Sequence, residues 1–149
     1  MSRLPDESRI RAWQGVMRIH DAVSRALEAT LLESSALPLP WYQVLVELRL
    51  AGGALRMHQL AEVATLSRSG TTRFVDRMEE AGLVERRVCP FDRRGLEVVL
   101  TDKGSEEQRR AAQLVLRGVQ EHFGRHLTDE QARLLAEALE GVVQADRRT

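Results

Sequence analysis

Ile10, Trp13, Met17, His20, Val23, Leu27 and Leu31 recur at steps of three and four, the period of one helix face. At about 1.5 Å per residue, a helix from Glu7 to Ser34 runs roughly 40 Å, which is long for a small single domain. A second stripe, Ala132, Leu135, Leu139 and Val142, lies near the other end of the chain. It follows Thr128-Asp129-Glu130-Gln131, a capping box with Thr128 at the cap and Gln131 at the third helical position. The short middle segment cannot cover two such stripes, so a partner chain is expected to bury them.

Leu37-Pro38-Leu39-Pro40 stops the first helix, because proline disfavours helix at the residue before it. Pro40 can open the next helix, expected over Trp41–Leu50 and ended by Gly52-Gly53. Leu55-Arg56-Met57 reads as a short strand, and His58–Ala64 as a short helix with Leu60, Ala61 and Ala64 inward. Thr65-Leu66 is a tight turn, and Ser67 is a good cap for a helix over Ser69–Ala81 with Phe74, Val75 and Met78 inward. Gly82 stops that helix. Val84–Val88 and Leu96–Leu100 are strand candidates joined by the polar loop 89–95, which makes a hairpin with a long tip. Thr101 can cap a helix whose stripe is Ala111, Leu114, Val115, Gly118, Val119 and His122. Asp146 to Thr149 read as a loose end.

Lys+Arg and Asp+Glu both total 22, so the net charge is zero and a non-specific polyanion coat is disfavoured. A local basic face is still open. Hydrophobic residues at 43% and charged ones at 30% describe a globular chain of 149 residues, one domain by length. No window reaches the roughly 18 apolar residues of a membrane span. Asp6 and Glu7 stand where a secretory signal would need an apolar core, so a cytoplasmic protein is expected. Cys89 is the single cysteine, which excludes an internal disulfide. No Gly-rich phosphate loop after a strand, Gly-x-Ser-x-Gly elbow or His-Glu-x-x-His appears, so an enzyme is not expected; neither is a cofactor or a metal.

Helix, tight turn, helix and hairpin together make a winged helix-turn-helix, whose second helix enters the DNA major groove. Here that helix starts Ser67-Arg68-Ser69-Gly70-Thr71-Thr72-Arg73. Hydroxyls can bond base edges or phosphates, a threonine methyl can touch thymine, and arginine can bind guanine through two bonds. Gly70 allows close approach, and the free amides of the helix start favour a phosphate. Residues 67–77 hold Arg68, Arg73 and Arg77 against Asp76, a positive stretch in a neutral chain. Arg56, on the short strand, is counted with these DNA-facing residues. The hairpin tip adds Arg93 and Arg94, with Arg86 and Arg87 at its base, and an arginine on a narrow loop suits an A·T-rich minor groove. Asp92 would be unwelcome on DNA unless it pairs with an arginine and fixes its direction.

Residues 66–79, Leu66-Ser67-Arg68-Ser69-Gly70-Thr71-Thr72-Arg73-Phe74-Val75-Asp76-Arg77-Met78-Glu79, resemble the recognition helix of the MarR (multiple-antibiotic-resistance regulator) family. Ala81-Gly82-Leu83-Val84-Glu85-Arg86 resembles the segment after it, Asp92-Arg93-Arg94-Gly95 the family's wing motif, and Leu100-Thr101-Asp102-Lys103-Gly104 its strand-to-helix junction. The resemblance is dense over residues 55–105. It implies a mainly α fold in which 1–149 form a single domain, 38–100 the winged helix-turn-helix DNA-binding lobe, and 7–36 and 101–146 the dimerisation helices. It further implies a homodimer on a palindromic double-stranded operator, acting as a repressor. On this resemblance Arg94 enters the minor groove, Asp92 braces the wing, and Ser69, Gly70, Thr72 and Arg73 face the major groove.

Family members often bind small aromatic or phenolic acids in a cleft between the dimer helices and the lobe. Trp13, Met17 and His20, with Trp41, Tyr42 and Leu45, are the candidate contacts for such an effector, against the alternative of ordinary core packing. Cys89 beside Pro90 reads as a half-buried strand cysteine at the wing base, with oxidant sensing as the alternative, since Arg86 and Arg87 are near in sequence. His122 and His126 are spaced as a possible metal pair, though Gly124 between them can end the helix. A dimerisation module that does not bind DNA is the rival reading from another class.

Overall fold

Proline, short hydroxyl residues and glycine punctuate the chain and set the ends of its helices. The computed structural model describes residues 4–34, 37–64, 67–90 and 92–146; the side chains of Arg68, Arg93 and Arg94 fall outside that description, as does the expected turn at Thr65-Leu66. The described elements are α1 (Glu7–Glu33), α2 (Leu39–Leu50), β1 (Ala54–Arg56), α3 (Met57–Val63), α4 (Arg68–Glu80), β2 (Val84–Cys89), β3 (Asp92–Leu100), α5 (Asp102–His122), a 3-10 turn (Gly124–His126) and α6 (Asp129–Asp146). This is the winged-helix arrangement expected from the sequence.

Two compact units are present: residues 27–115, and residues 1–26 with 116–149. The division falls inside α1 and inside α5. Within the larger unit, the lobe, Leu31, Leu45, Leu48, Leu60, Val75, Met78, Val84 and Val98 are fully enclosed. Burying one such side chain contributes roughly 1.5–3 kcal/mol, so this cluster is the main source of the lobe's stability. Of the residues expected inward on α3, Leu60 is buried, whereas Ala61 and Ala64 are partly exposed. α2 begins two residues earlier than expected, at Leu39, because the Glu28 carboxylate accepts a hydrogen bond from the Leu39 amide (2.8 Å) and gives the helix start a partner.

α4 ends in a Schellman turn. Gly82 adopts φ 74°, its N–H donates to the Glu79 carbonyl, and the Leu83 N–H donates to the Met78 carbonyl. The Thr101 hydroxyl then donates to the Gly82 carbonyl (2.7 Å) and accepts from the Gly104 amide (2.9 Å), so the start of α5 is laid directly on the end of α4. Lys103, the single lysine, donates to the Ala81 carbonyl (2.7 Å), a cation at a helix C-terminus.

The sheet is antiparallel with order β1-β3-β2. Leu55 lies opposite Val98, and Val84 opposite Leu100. The hairpin is longer than expected. The expected strands pair as far as Arg87 opposite Glu97 and Val88 opposite Leu96; beyond them the register shifts at Val88/Cys89 and the ladder closes with Cys89 opposite Asp92, so β3 begins at Asp92. Ladder bonds involve backbone groups only, so polar residues continue a strand that an apolar pattern cannot reveal. Phe91, in the tip, lies outside the described residues.

In the smaller unit Thr128 and Gln131 form the expected capping box, with each side chain accepting from the other's amide (3.2 and 2.9 Å). α6 buries no residue, and Leu134, Leu139, Val142 and Val143 on it stay exposed, as do Ile10, Trp13 and Met17 on α1. Among the described residues no helix is long and apolar enough to cross a membrane.

Candidate nucleic-acid interface

α4 presents its N-terminus through a hydroxyl cap. The Ser67 side chain accepts from the Gly70 amide (3.1 Å), and its Oγ lies 3.4 Å from that of Ser69. Ser67, Ser69, Thr72, Arg73 and Arg77 are exposed and Gly70 is half-exposed, so the lobe displays hydroxyl and guanidinium groups on one side of this helix. Thr71 departs from the expected set. It is 1% exposed, and its hydroxyl donates to the Ser67 carbonyl (2.9 Å), so its side chain belongs to the core rather than to the displayed surface. Helical period places Thr71 with Phe74, Val75 and Met78, three and more residues on. Arg68 lies in α4, but its side chain is outside the description.

Arg86 sits where no spacing rule anticipates it. Its guanidinium donates to Asp76 (2.6 Å), to Glu79 (2.5 Å) and to the Thr72 carbonyl (3.1 Å), and its backbone N–H donates to Glu79 (2.8 Å). Asp76 and Glu79, three residues apart on α4, thus clamp the base of the wing to α4. From the sequence, Arg86 is one of several cations at the wing base, near Cys89 in the chain. The acidic pair on α4 is the signal that points to this cation, but its partner lies in another element.

At the far end of the wing, Arg56 lies 3.5 Å from the Asp92 carboxylate and donates to the Cys89 sulfur (3.6 Å). Asp92 therefore meets an arginine, though one from β1. Arg93 and Arg94 are in β3, with their side chains outside the description. Between α3, α4 and the wing lies a cleft of about 660 Å³ lined by Arg56, His58, Thr72, Arg86 and Leu96 among others.

Cys89 is buried at 2% exposure rather than half-buried, and it lies at the tip end of β2 rather than at the wing base. Its cationic neighbour is Arg56, because Arg86 is engaged on α4. His122 ends α5 and His126 belongs to the 3-10 turn, so the two do not share a helix face. Among the described residues no cluster of three or more His, Cys, Asp or Glu side chains suits a metal. Of the effector candidates, Trp13 (64% exposed), Met17 and His20 lie in the smaller unit, with His20 Nδ1 3.4 Å from Asp21. Trp41 and Tyr42 are partly exposed in the lobe. Leu45 is fully enclosed in the lobe's core, where α2 turns its apolar face inward, so it offers no surface to a ligand.

Residues 37–95 match the family model described as MarR family. No curated protein matches the sequence. Among solved structures, the chain is similar to AbsC, a MarR family transcriptional regulator from Streptomyces coelicolor: 32% identity over 99% of this chain and 100% of AbsC, TM-score 0.83. It is similar to Sco3205, a MarR family transcriptional regulator from the same organism solved in complex with DNA, at 30% identity over 97% and 91% of the two chains, TM-score 0.80. A mutant MarR from E. coli complexed with operator DNA is 26% identical over 93% and 99%, TM-score 0.77. With a capped, hydroxyl- and arginine-bearing helix clamped to a β-wing, and with full-length similarity to AbsC, the chain belongs to the MarR family of DNA-binding transcriptional regulators.

Proposed function

We propose that the protein is a homodimeric, sequence-specific repressor that binds a palindromic double-stranded operator in the cytoplasm and is released by a small aromatic ligand. The observation that carries the reading is the displayed start of α4, with Ser67, Ser69, Thr72 and Arg73 exposed around a capped helix N-terminus beside the wing. Sco3205 and the E. coli MarR mutant, both solved on DNA, support it. The dimer rests on the smaller unit, where Val142 (67% exposed), Val143, Leu134 and Leu139 of α6 and Ile10, Trp13 and Met17 of α1 are uncovered. Apolar side chains left uncovered on two helices of one unit are what a partner chain would bury.

Footprinting on the region upstream of the protein's own gene tests this. The expected footprint is symmetric, with half-sites about 10 base pairs apart centre to centre. Protection of one asymmetric half-site, or none, would count against the dimeric DNA reader and favour a dimerisation module. On the same DNA, Arg94→Ala is expected to weaken binding by about 1–3 kcal/mol and to flatten its salt dependence, since a cation is withdrawn from a narrow groove. Wild-type affinity and slope would remove the wing arginine from the mechanism.

The effector arm has its own readout. Trp13 and Trp41 are the only tryptophans. Titration with a panel of aromatic acids is expected to change their fluorescence and to release DNA. A tenfold release requires about 1.4 kcal/mol of coupling, which the ligand supplies only if it binds the DNA-incompetent shape more tightly. A panel that moves neither signal would defeat this arm alone.

A further inference from the structure

By residue type and place in the sequence, Arg56 is expected on the DNA-facing surface, as a cation for the duplex. Its position in the lobe supports another role. The Arg56 backbone is set at the junction of β1 and α3, where the Gln59 side chain accepts from its amide (2.9 Å). From that fixed point the guanidinium extends to the wing tip and meets both residues that close the hairpin, the Asp92 carboxylate at 3.5 Å and the Cys89 sulfur at 3.6 Å. Cys89 and Asp92 are opposite one another just past the register shift, as the last pair of the ladder. Arg56 thus links the tip to a part of the lobe that is remote in sequence. Arg86 does the same at the other end, joining the wing base to α4.

We infer that Arg56 is a positioning residue for DNA recognition: through Asp92 and Cys89 it fastens the tip of the wing to the start of α3, so that wing and recognition helix meet the duplex at a fixed separation. The inference rests on the DNA-binding reading above. Two contacts set that separation, one at each end of a hairpin that otherwise projects from the sheet. A two-stranded ribbon held only at its base samples many orientations, and each must be given up on binding. A tip held beforehand leaves less to give up.

Two readouts separate this role from direct phosphate contact. The first uses no DNA. Cys89 is the only thiol and is buried at the braced tip, so its labelling rate with N-ethylmaleimide under native conditions reports undocking of the tip. Arg56→Met and Asp92→Asn are each expected to raise that rate about tenfold, with urea midpoints confirming that the variants stay folded. The reversed pair, Arg56→Asp with Asp92→Arg, is expected to bring the rate back toward that of the parent. The second readout is operator affinity. Asp92→Asn removes a negative charge near DNA and on electrostatics alone should tighten binding; the brace requires it to weaken binding, about tenfold. The double variant Arg56→Met/Asp92→Asn should lose no more than either single one, because both remove the same link.

Unchanged labelling in Arg56→Met, or no recovery in the reversed pair, would overturn the brace. Faster labelling with parental operator affinity would overturn its part in recognition. A drop of about 0.9 in the salt slope for Arg56→Met, with tighter binding by Asp92→Asn, would assign Arg56 to a phosphate instead. A parent protein that binds no operator would defeat the DNA reading while leaving the labelling result to decide the brace.

Discussion

Gly104→Ala is expected to lower the stability of the protein by about 3 kcal/mol, a fall in Tm of the order of 10 °C. A Cβ at this position would stand 2.0 Å from the Leu83 carbonyl oxygen, 2.9 Å from its carbon and 3.0 Å from a Leu100 methyl. The first two obstacles are backbone and cannot rotate away. To make room, the first turn of α5 must withdraw from the Gly82-Leu83 turn, which breaks the Thr101 hydroxyl bond to the Gly82 carbonyl and the Thr101 amide bond to the Leu83 carbonyl. The seat of α4 would loosen with them. Gly15→Ala is the control. Nothing lies within 4 Å of a Cβ there, and it sits within α1, so alanine is expected to stabilise by up to about 1 kcal/mol through its higher helix propensity. Thermal melts at one fixed protein concentration compare the two, because the proposed dimer makes Tm depend on concentration. A Gly104→Ala protein melting with the parent would mean that α5 is not seated as described.

Arg86→Met is expected to cost about 2 kcal/mol of stability and to weaken operator binding at least tenfold. The Arg86 side chain is 20% exposed and satisfies Asp76, Glu79 and the Thr72 carbonyl together. Methionine keeps most of the packing and leaves two carboxylates three residues apart with no cation between them. Loss of one partner from a fully buried pair costs roughly 3–5 kcal/mol, but Asp76 and Glu79 are 48% and 38% exposed, and water takes back part of that penalty. The effect on DNA follows from geometry, since the clamp holds α4 against the base of the wing. Arg86→Lys should fall between, because an ammonium cannot reproduce the planar fork that reaches two acids and a carbonyl. Arg87→Met, an exposed neighbour on the same strand, should change stability by no more than about 0.5 kcal/mol. Urea denaturation and gel shift across the three variants decide it; equal curves for Arg86→Met and Arg87→Met would show that the clamp contributes nothing.

Both effects act through contacts between elements far apart in the sequence. Gly104 was legible as part of a junction motif, and Arg86 as one of several wing cations. That Gly104 lies on a carbonyl twenty-one positions earlier, or that Arg86 is held by acids on α4, depends on two elements meeting in space. Thr71 shows the same limit within a single helix. Its residue type suits DNA contact as well as Thr72 does, and only its place on the inward face separates the two. The hairpin differs for a related reason: residues 89 to 95 gave no periodic signal, while β3 starts at Asp92 and the ladder closes with Cys89 opposite Asp92.

What the sequence alone determined was local. The order of helices and strands, the caps at Ser67 and Thr128, the glycine stop at Gly82 and the inward face of α4 follow from hydrogen bonds and side-chain periods spanning a few residues. Those same local patterns were dense enough over residues 55–105 to carry a family resemblance, that of DNA-binding transcriptional regulators. The tertiary structure decided which charges face outward. Arg56 and Arg86 turn to acids of the lobe, while Arg73 and Arg77 stay exposed on α4. An arginine finds its partner among groups brought near by folding, at sequence separations of ten, thirty or more residues, and no short-range rule encodes that choice.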